Sequence, residues 1–233
     1  AGCTWNDITD RDIDGSVART ASRPIPSGQV SAKQALGWAV AQSLVAFLIL
    51  ITFNLNAILL GILSLLPVAI YPFAKRFTWW PQIWLGFTIN WGVLVAAAMA
   101  THVSMGSLLL YLGFAAWTVG YDTIYAMQDR EDDALIGIKS TARLFGDDSP
   151  RYLSWFLVAT VSLMAMAVIA AVPDAEMITM LIAIFGPWLM GWHLWWQLGR
   201  LDTENNDVLI GLFRSNRDAG LIPVLIFAVA LML

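Results

Sequence analysis

The sequence predicts an all-α, polytopic transmembrane helix bundle, and three observations carry that prediction. Of its 233 residues 58% are hydrophobic and only 13% charged, against about 25% charged in a soluble globular domain. Several apolar runs approach or exceed the ~20 residues that cross a ~30 Å hydrocarbon core. Lys and Arg are confined to alternate connections between those runs. A backbone in lipid must satisfy its own hydrogen bonds, so runs of this length read as helices.

The chain opens on "AGCTWNDITDRDID". No basic n-region or apolar h-region of a cleavable signal is visible, and the stretch reads as though it begins inside a helix. We therefore expect at least one span upstream of this chain. Spans follow near 34–54, 57–74, 81–101, 105–127, 152–172, 177–198 and 219–233, the last one short. The thirteen Lys and Arg fall in four segments. These hold Arg11, Arg19, Arg23 and Lys33; Lys75 and Arg76; Arg130, Lys139, Arg143 and Arg151; and Arg200, Arg214 and Arg217. The connections near 54–57, 101–104 and 173–177 hold none. That alternation follows the positive-inside rule and agrees with the count of spans. It puts both acid-rich segments on the cytoplasmic side. The lone cysteine, Cys3, excludes an internal disulfide framework and reads as a small apolar helix residue.

Two acidic stretches carry the chemistry. In "NDITDRDID", residues 6 to 14, Asp7, Asp10 and Asp14 stand at i, i+3 and i+7 and share one helical face. Like charges at such spacing repel by a few tenths of a kcal/mol per pair, so the face asks for a counter-ion. Hard oxygens suit Mg²⁺, which is held by one or two carboxylates, waters and phosphate oxygens. In "YDTIYAMQDREDDALIGIKS", residues 121 to 140, Asp129 and Asp133 stand at i and i+4, with Asp122 two turns back and Asp132 beside the face. Two carboxylate-rich helix ends on one side of the membrane suit a diphosphate bridged by divalent ions. A single acid-rich loop is ordinarily a solvated face, and Glu131 and Asp12 keep that reading. The repeat of the helical spacing at two membrane ends argues against it for the others.

"NDITDRDID" with "RTASRPIPSG", and "YDTIYAMQDREDDALIGIKSTARLFG", resemble the two signatures of the UbiA superfamily of intramembrane prenyltransferases. "YPFAKRFTWWPQIWLG", residues 71 to 86, is similar to the branch whose acceptor is 4-hydroxybenzoate, and the likeness runs through "LFRSNRDAGL". The resemblance implies a UbiA-like bundle of nine helices in the family, about seven of them clear here. Residues 1–233 would then form a single transmembrane prenyltransferase domain, N-terminally incomplete and inactive at this extent. The implied reaction moves a polyprenyl group from polyprenyl diphosphate to the ring of 4-hydroxybenzoate, in ubiquinone biosynthesis, with Mg²⁺ as cofactor. The implied location is a bacterial inner membrane, or the mitochondrial inner membrane in a eukaryote, with no nucleic acid or obligate protein partner.

By the same resemblance Asp7, Asp10, Asp14, Asp129 and Asp133 hold the metal, with Asn6 and Asp122 in support. A metal clamp neutralises the charge that develops as diphosphate leaves. Arg76 would take the acceptor's carboxylate, since a planar guanidinium suits that group better than the ammonium of Lys75; a topology-setting interfacial charge is the alternative. Lys139, Arg23 and more weakly Arg19 are phosphate partners or snorkelling loop cations. Gly137 serves a turn that folds the loop over the site. Tyr121 and Tyr125 shield a cation or orient phosphate, or belong to an interfacial belt. Asn90 lines the cavity or bonds a neighbouring helix. His193, among Trp192, Trp195 and Trp196, reads as interfacial.

Other readings predict other patterns. A divalent-cation transporter needs acids midway along spans, whereas every Asp and Glu here lies at an end or in a loop. A scaffold gives no reason for two like-charged faces. Within the superfamily, homogentisate, dihydroxynaphthoate, haem O, chlorophyll and glycerol-lipid acceptors are the alternatives. Donor length is not visible in the composition.

Overall fold

The computed structural model describes residues 1–17 and 20–232, and all regular structure among them is helical. A short helix α1 (Gly2–Asp14) carries the first acidic stretch. Helix α2 (Ala32–Leu50) starts at a capping box in which Ser31 and Gln34 bond reciprocally, satisfying two of the end donors that lipid cannot. The next crossing is built from pieces: α3 (Leu55–Leu63), capped by Asn54, then α4 (Leu65–Ile70), a 3₁₀ turn at Tyr71–Phe73 and α5 (Ala74–Phe77). Pro72 removes a donor at that turn and swings Lys75 and Arg76 towards α1. The following crossing is α6 (Pro81–Ile89) and α7 (Gly92–Ala100), with Pro81 at the first helical position.

Helix α8 (Met105–Ala126), opened by a second capping box at Ser104 and Ser107, is the central strut. A 3₁₀ turn at Met127–Asp129 leads into α9 (Arg130–Leu135) and, after a loop, α10 (Thr141–Phe145). The chain then crosses three more times as α11 (Ser149–Ala171), α12 (Met177–Gly199) and α13 (Asn206–Ala230). Among the described residues five helical segments are long and apolar enough to span a membrane: Ala32–Leu50, Leu55–Phe77, Pro81–Ala100, Thr141–Ala171 and Met177–Gly199. The more polar α8 and α13 have spanning length, at 22 and 25 residues. The chain is therefore an integral membrane helix bundle.

The last span differs most from its expected bounds: α13 starts at Asn206, not near 219. Arg214, Asn216, Arg217 and Asp218 hid that start, because their charge interrupts the apolar run while leaving the helix intact. Asn216 is buried and accepts a hydrogen bond from the Trp117 indole at 2.8 Å, which ties α13 to α8. Helices α8, α11, α12 and α13 pack together, and α6 lies along the other side of α8. The approach of α6 to α8 is close: a Cβ on Gly86 would stand 2.8 Å from the Ala115 carbonyl oxygen. Small residues of this kind let membrane helices gain packing energy where no hydrophobic drive exists between them.

Candidate active site

Asp10 is 1% exposed, and the neighbouring cation, Arg11, pairs with Asp12 instead. The break at Tyr71–Phe73 supplies two. Lys75 Nζ lies 2.6 Å from Asp10 Oδ2, and Arg76 Nη2 lies 3.4 Å from Oδ1. The ammonium sits off the line of a good hydrogen bond, so Oδ2 is ion-paired without a directed donor. Asp14, also buried, and Asp7 share one guanidinium: Arg23 Nη1 is 2.8 Å from Asp14 Oδ2 and 3.2 Å from Asp7 Oδ1. The face at i, i+3 and i+7 is thus neutralised by cations from two other segments. Burial still holds the Asp7 carboxyl above its usual range, a push that Arg23 opposes and that Asp14 and Asp10 reinforce. Thr20 closes the turn after α1 by donating to the Asp14 carbonyl at 2.8 Å.

The second acidic stretch meets the first across a cavity of about 170 Å³, lined by Asn6, Asp10, Asp14, Arg23, Lys75, Gln82, Asp122, Tyr125, Asp129, Asp133 and Lys139 among others. At ~30 Å³ per water, that volume is roughly six waters. Asp122 sits in the last turns of α8, while the 3₁₀ turn and α9 aim Asp129 and Asp133 at the same space. Gly137, at φ +77°, turns the chain back. The Lys139 N–H then donates to the Lys75 carbonyl at 3.0 Å, and its ammonium reaches the Phe77 carbonyl at 3.3 Å. Arg143 braces this turn from outside through the Asp133 and Ile138 carbonyls, with its guanidinium over the Trp79 ring.

Other expected residues fall elsewhere. Arg76 points at the Thr9 carbonyl (2.7 Å) and lies over the Phe73 ring, outside the cavity lining. Tyr121 packs edge-on to Trp117 and Phe213 and does not line the cavity. Asn90 donates to the Gly86 carbonyl and the Thr118 hydroxyl, both at 2.8 Å, which makes it a link between α6 and α8. His193 lies against Trp196 with ring centres 5.2 Å apart. Cys3 is exposed on α1. Arg19 lies outside the described residues.

Lys75 and Gln82 are cavity residues that sequence reasoning missed in that role. Lys75 was set aside for its neighbour on side-chain chemistry alone. Gln82 left a signal, a polar side chain opening an otherwise apolar span, which is costly in lipid unless it has partners.

Among the described residues no three His, Cys, Asp or Glu converge as a prebuilt cation cage. The donor set nevertheless fits a hard divalent ion. Mg²⁺ keeps several waters and takes one or two carboxylates plus substrate phosphates, and the cavity offers five carboxylates and the Asn6 amide without soft ligands.

The described residues thus form an intramembrane helix bundle in which two acidic helix ends face one basic-edged cavity. The chain belongs to the UbiA prenyltransferase family, whose model matches residues 1–216. It is 42% identical over 224 residues to 4-hydroxybenzoate polyprenyltransferase, mitochondrial, of Bos taurus, covering 95% of this chain and 59% of that protein. The protein of the same name from Arabidopsis thaliana is 41% identical over 95% of this chain and 54% of its own length. The chain therefore spans somewhat over half the length of these curated relatives. Among solved structures, the apo structure of a UbiA homologue from Aeropyrum pernix K1 superposes with a TM-score of 0.76 at 26% identity, covering 99% of this chain and 83% of that one. A digeranylgeranylglyceryl phosphate synthase shares the fold at 0.67 and 19% identity, over 100% of this chain and 81% of its own.

Proposed function

We propose that this chain is the site-bearing part of a Mg²⁺-dependent aromatic prenyltransferase, a single transmembrane domain acting in ubiquinone biosynthesis. It transfers a polyprenyl group from polyprenyl diphosphate to 4-hydroxybenzoate, at the ring carbon ortho to the hydroxyl. The observation that carries this reading is the meeting of both acidic stretches with Arg23, Lys75 and Lys139 around one cavity. The names of its relatives support the acceptor.

Asp10, Asp14, Asp129 and Asp133, with Asp7 and Asn6 beside them, would hold the ion, which supplies neutralisation of the charge on the leaving diphosphate. Arg23 and Lys139 take diphosphate oxygens: Arg23 shares the charge it now gives to Asp7 and Asp14, and Lys139 exchanges the neutral Phe77 carbonyl for a stronger charge-assisted bond. Asp122 orients the inner edge of the cavity, and Tyr125 presents an aromatic wall to the allylic cation formed as the carbon–oxygen bond breaks. The electron-rich ring attacks that carbon, and loss of the ring proton restores aromaticity. Arg76 holds the acceptor's carboxylate by swinging from the Thr9 carbonyl, a weaker acceptor than a carboxylate. The polyprenyl tail lies along the apolar helix faces beside the cavity. The mitochondrial inner membrane fits the relatives' names; a bacterial inner membrane with the acids on the cytoplasmic side fits the same charge pattern.

The test is prenyl transfer in membranes containing the full-length protein, with Mg²⁺, a polyprenyl diphosphate and a radiolabelled panel of aromatic acceptors. Label from 4-hydroxybenzoate entering the lipid phase is the expected result. Label entering from homogentisate or dihydroxynaphthoate instead rejects the acceptor and keeps the chemistry. Absence of transfer to every acceptor rejects the enzyme reading.

A further inference from the structure

Gln82 is buried, at 4% exposure, in the first turn of α6, where Pro81 fixes the start of the helix. Its side chain lines the cavity between the two acidic stretches. The Oε1 atom accepts from the Thr141 N–H at 3.1 Å, which leaves the amide –NH₂ to face the Asp122 carboxylate in the same cavity lining. Thr141 is itself held by α8, its hydroxyl 2.6 Å from that of Thr123. It is two residues after Lys139, whose own N–H is tied to the Lys75 carbonyl. The short segment 138–141 is thus fastened at both ends: to α5 through Lys139, and to α6 and α8 through Thr141.

The chemistry of the joint demands an amide. One end must accept from a backbone N–H and the other must face a carboxylate as a donor; among side chains of this length Gln does both without titrating, whereas Glu does so only while it holds a proton. An ionised Glu would keep the first bond and set a like charge against Asp122. A Leu of similar bulk would leave a buried N–H and a carboxylate unpaired, and such losses outweigh the gain from making the bonds.

We propose that Gln82 is a positioning residue for the diphosphate: it fixes Lys139 and its segment at a set distance from Asp122 and the second acidic face. The assignment rests on the prenyl-transfer reading above. Gln82 touches no reacting atom. It acts on how well the anionic head group is gripped, and the amide makes that grip depend on one joint between α6, α8 and the loop.

The experiment is a double-mutant cycle on the full-length protein in membranes, pairing Gln82→Leu with Lys139→Met. Gln82→Leu should raise KM for the polyprenyl diphosphate about tenfold, the size of a lost buried hydrogen bond, with kcat lowered less than KM is raised. In the Lys139→Met background the same substitution should change KM less than twofold, since residues acting as one unit are not additive. Trypsin should cleave after Lys139 faster in Gln82→Leu at an unchanged melting temperature, a readout that needs no activity. Gln82→Glu retains the Thr141 bond and covers the case in which Gln82→Leu does not accumulate; it should raise KM through repulsion of Asp122 while its tryptic rate stays near that of the parent. Wild-type transfer combined with effects that simply add, or with an unchanged KM in both Gln82 variants, overturns the positioning role alone. A wild-type protein that transfers no prenyl group overturns the underlying function, and the tryptic arm then decides whether the joint exists.

Discussion

The ammonium of Lys75 stands 2.6 Å from Oδ2 of Asp10, a carboxylate with 1% exposure. Removing one partner of a buried pair leaves an uncompensated charge and costs about 3–5 kcal/mol. Arg76 still reaches Oδ1, which puts Lys75→Met at the low end, about 3 kcal/mol. The expected result is a clear drop in melting temperature in detergent. Adding Asp10→Asn should restore most of that stability and none of the prenyl transfer. A double variant as unstable as Lys75→Met alone would mean that Lys75 stabilises by packing and not by charge.

Asp129 opens α9 and lines the cavity opposite Asp10 and Asp14. If it holds the divalent ion against the leaving group, Asp129→Asn removes a charge without changing shape. The expected loss in kcat is about 100-fold or more, the scale of a lost electrostatic stabiliser. EDTA should abolish transfer by the parent, and Mg²⁺ should restore it. Transfer that survives both treatments would sink the metal-clamp mechanism.

Asp7 makes a pH-dependent test, taken in EDTA so that bound metal does not enter. Burial raises its pKa above the ordinary 3.8, with Arg23 opposing less strongly. The folded state therefore binds this proton more tightly than the unfolded chain does, and above the raised value the folded state carries a charge it disfavours. Stability from this group falls as pH rises through that window. Asp7→Asn should melt higher than the parent at pH 7.5, and the difference should close as pH falls towards 3.8. A variant less stable at pH 7.5 would mean that the Arg23 pair outweighs desolvation.

The parts of this molecule legible in its sequence are those set by local pattern. Apolar length and alternate basic loops marked the crossings, and the spacing of Asp7, Asp10 and Asp14 marked a shared face, because both follow from one helix at a time. Which of two adjacent cations enters the cavity did not follow. Lys75 and Arg76 are separated by about 100° around a helix, and the orientation of the four-residue α5 is set by the Tyr71–Phe73 break and by α1. Gln82 was equally hidden, since its two partners lie about 40 and 59 positions away. The start of α13 was masked for the opposite reason: charge in its first turns looked like a loop to a hydropathy reading, while the helix continues through it.

Asn90 shows how a polar residue in a span can be structural, and that is testable against the site residues. Its amide donates to Gly86 on its own helix and to Thr118 on α8, beside the close approach of Gly86 to Ala115. Interhelical hydrogen bonds in membranes contribute about 0.6 kcal/mol on average and up to about 1.7. Asn90→Val keeps most of the volume and deletes the bond, so the melting temperature should fall modestly. The Thr118 hydroxyl still donates to the Phe114 carbonyl and is left satisfied, which limits the damage. KM for both substrates should stay within twofold of the parent, because Asn90 does not line the cavity. A tenfold rise in KM with no change in melting temperature would instead make Asn90 part of the substrate path, and would extend that path well beyond the acidic cavity.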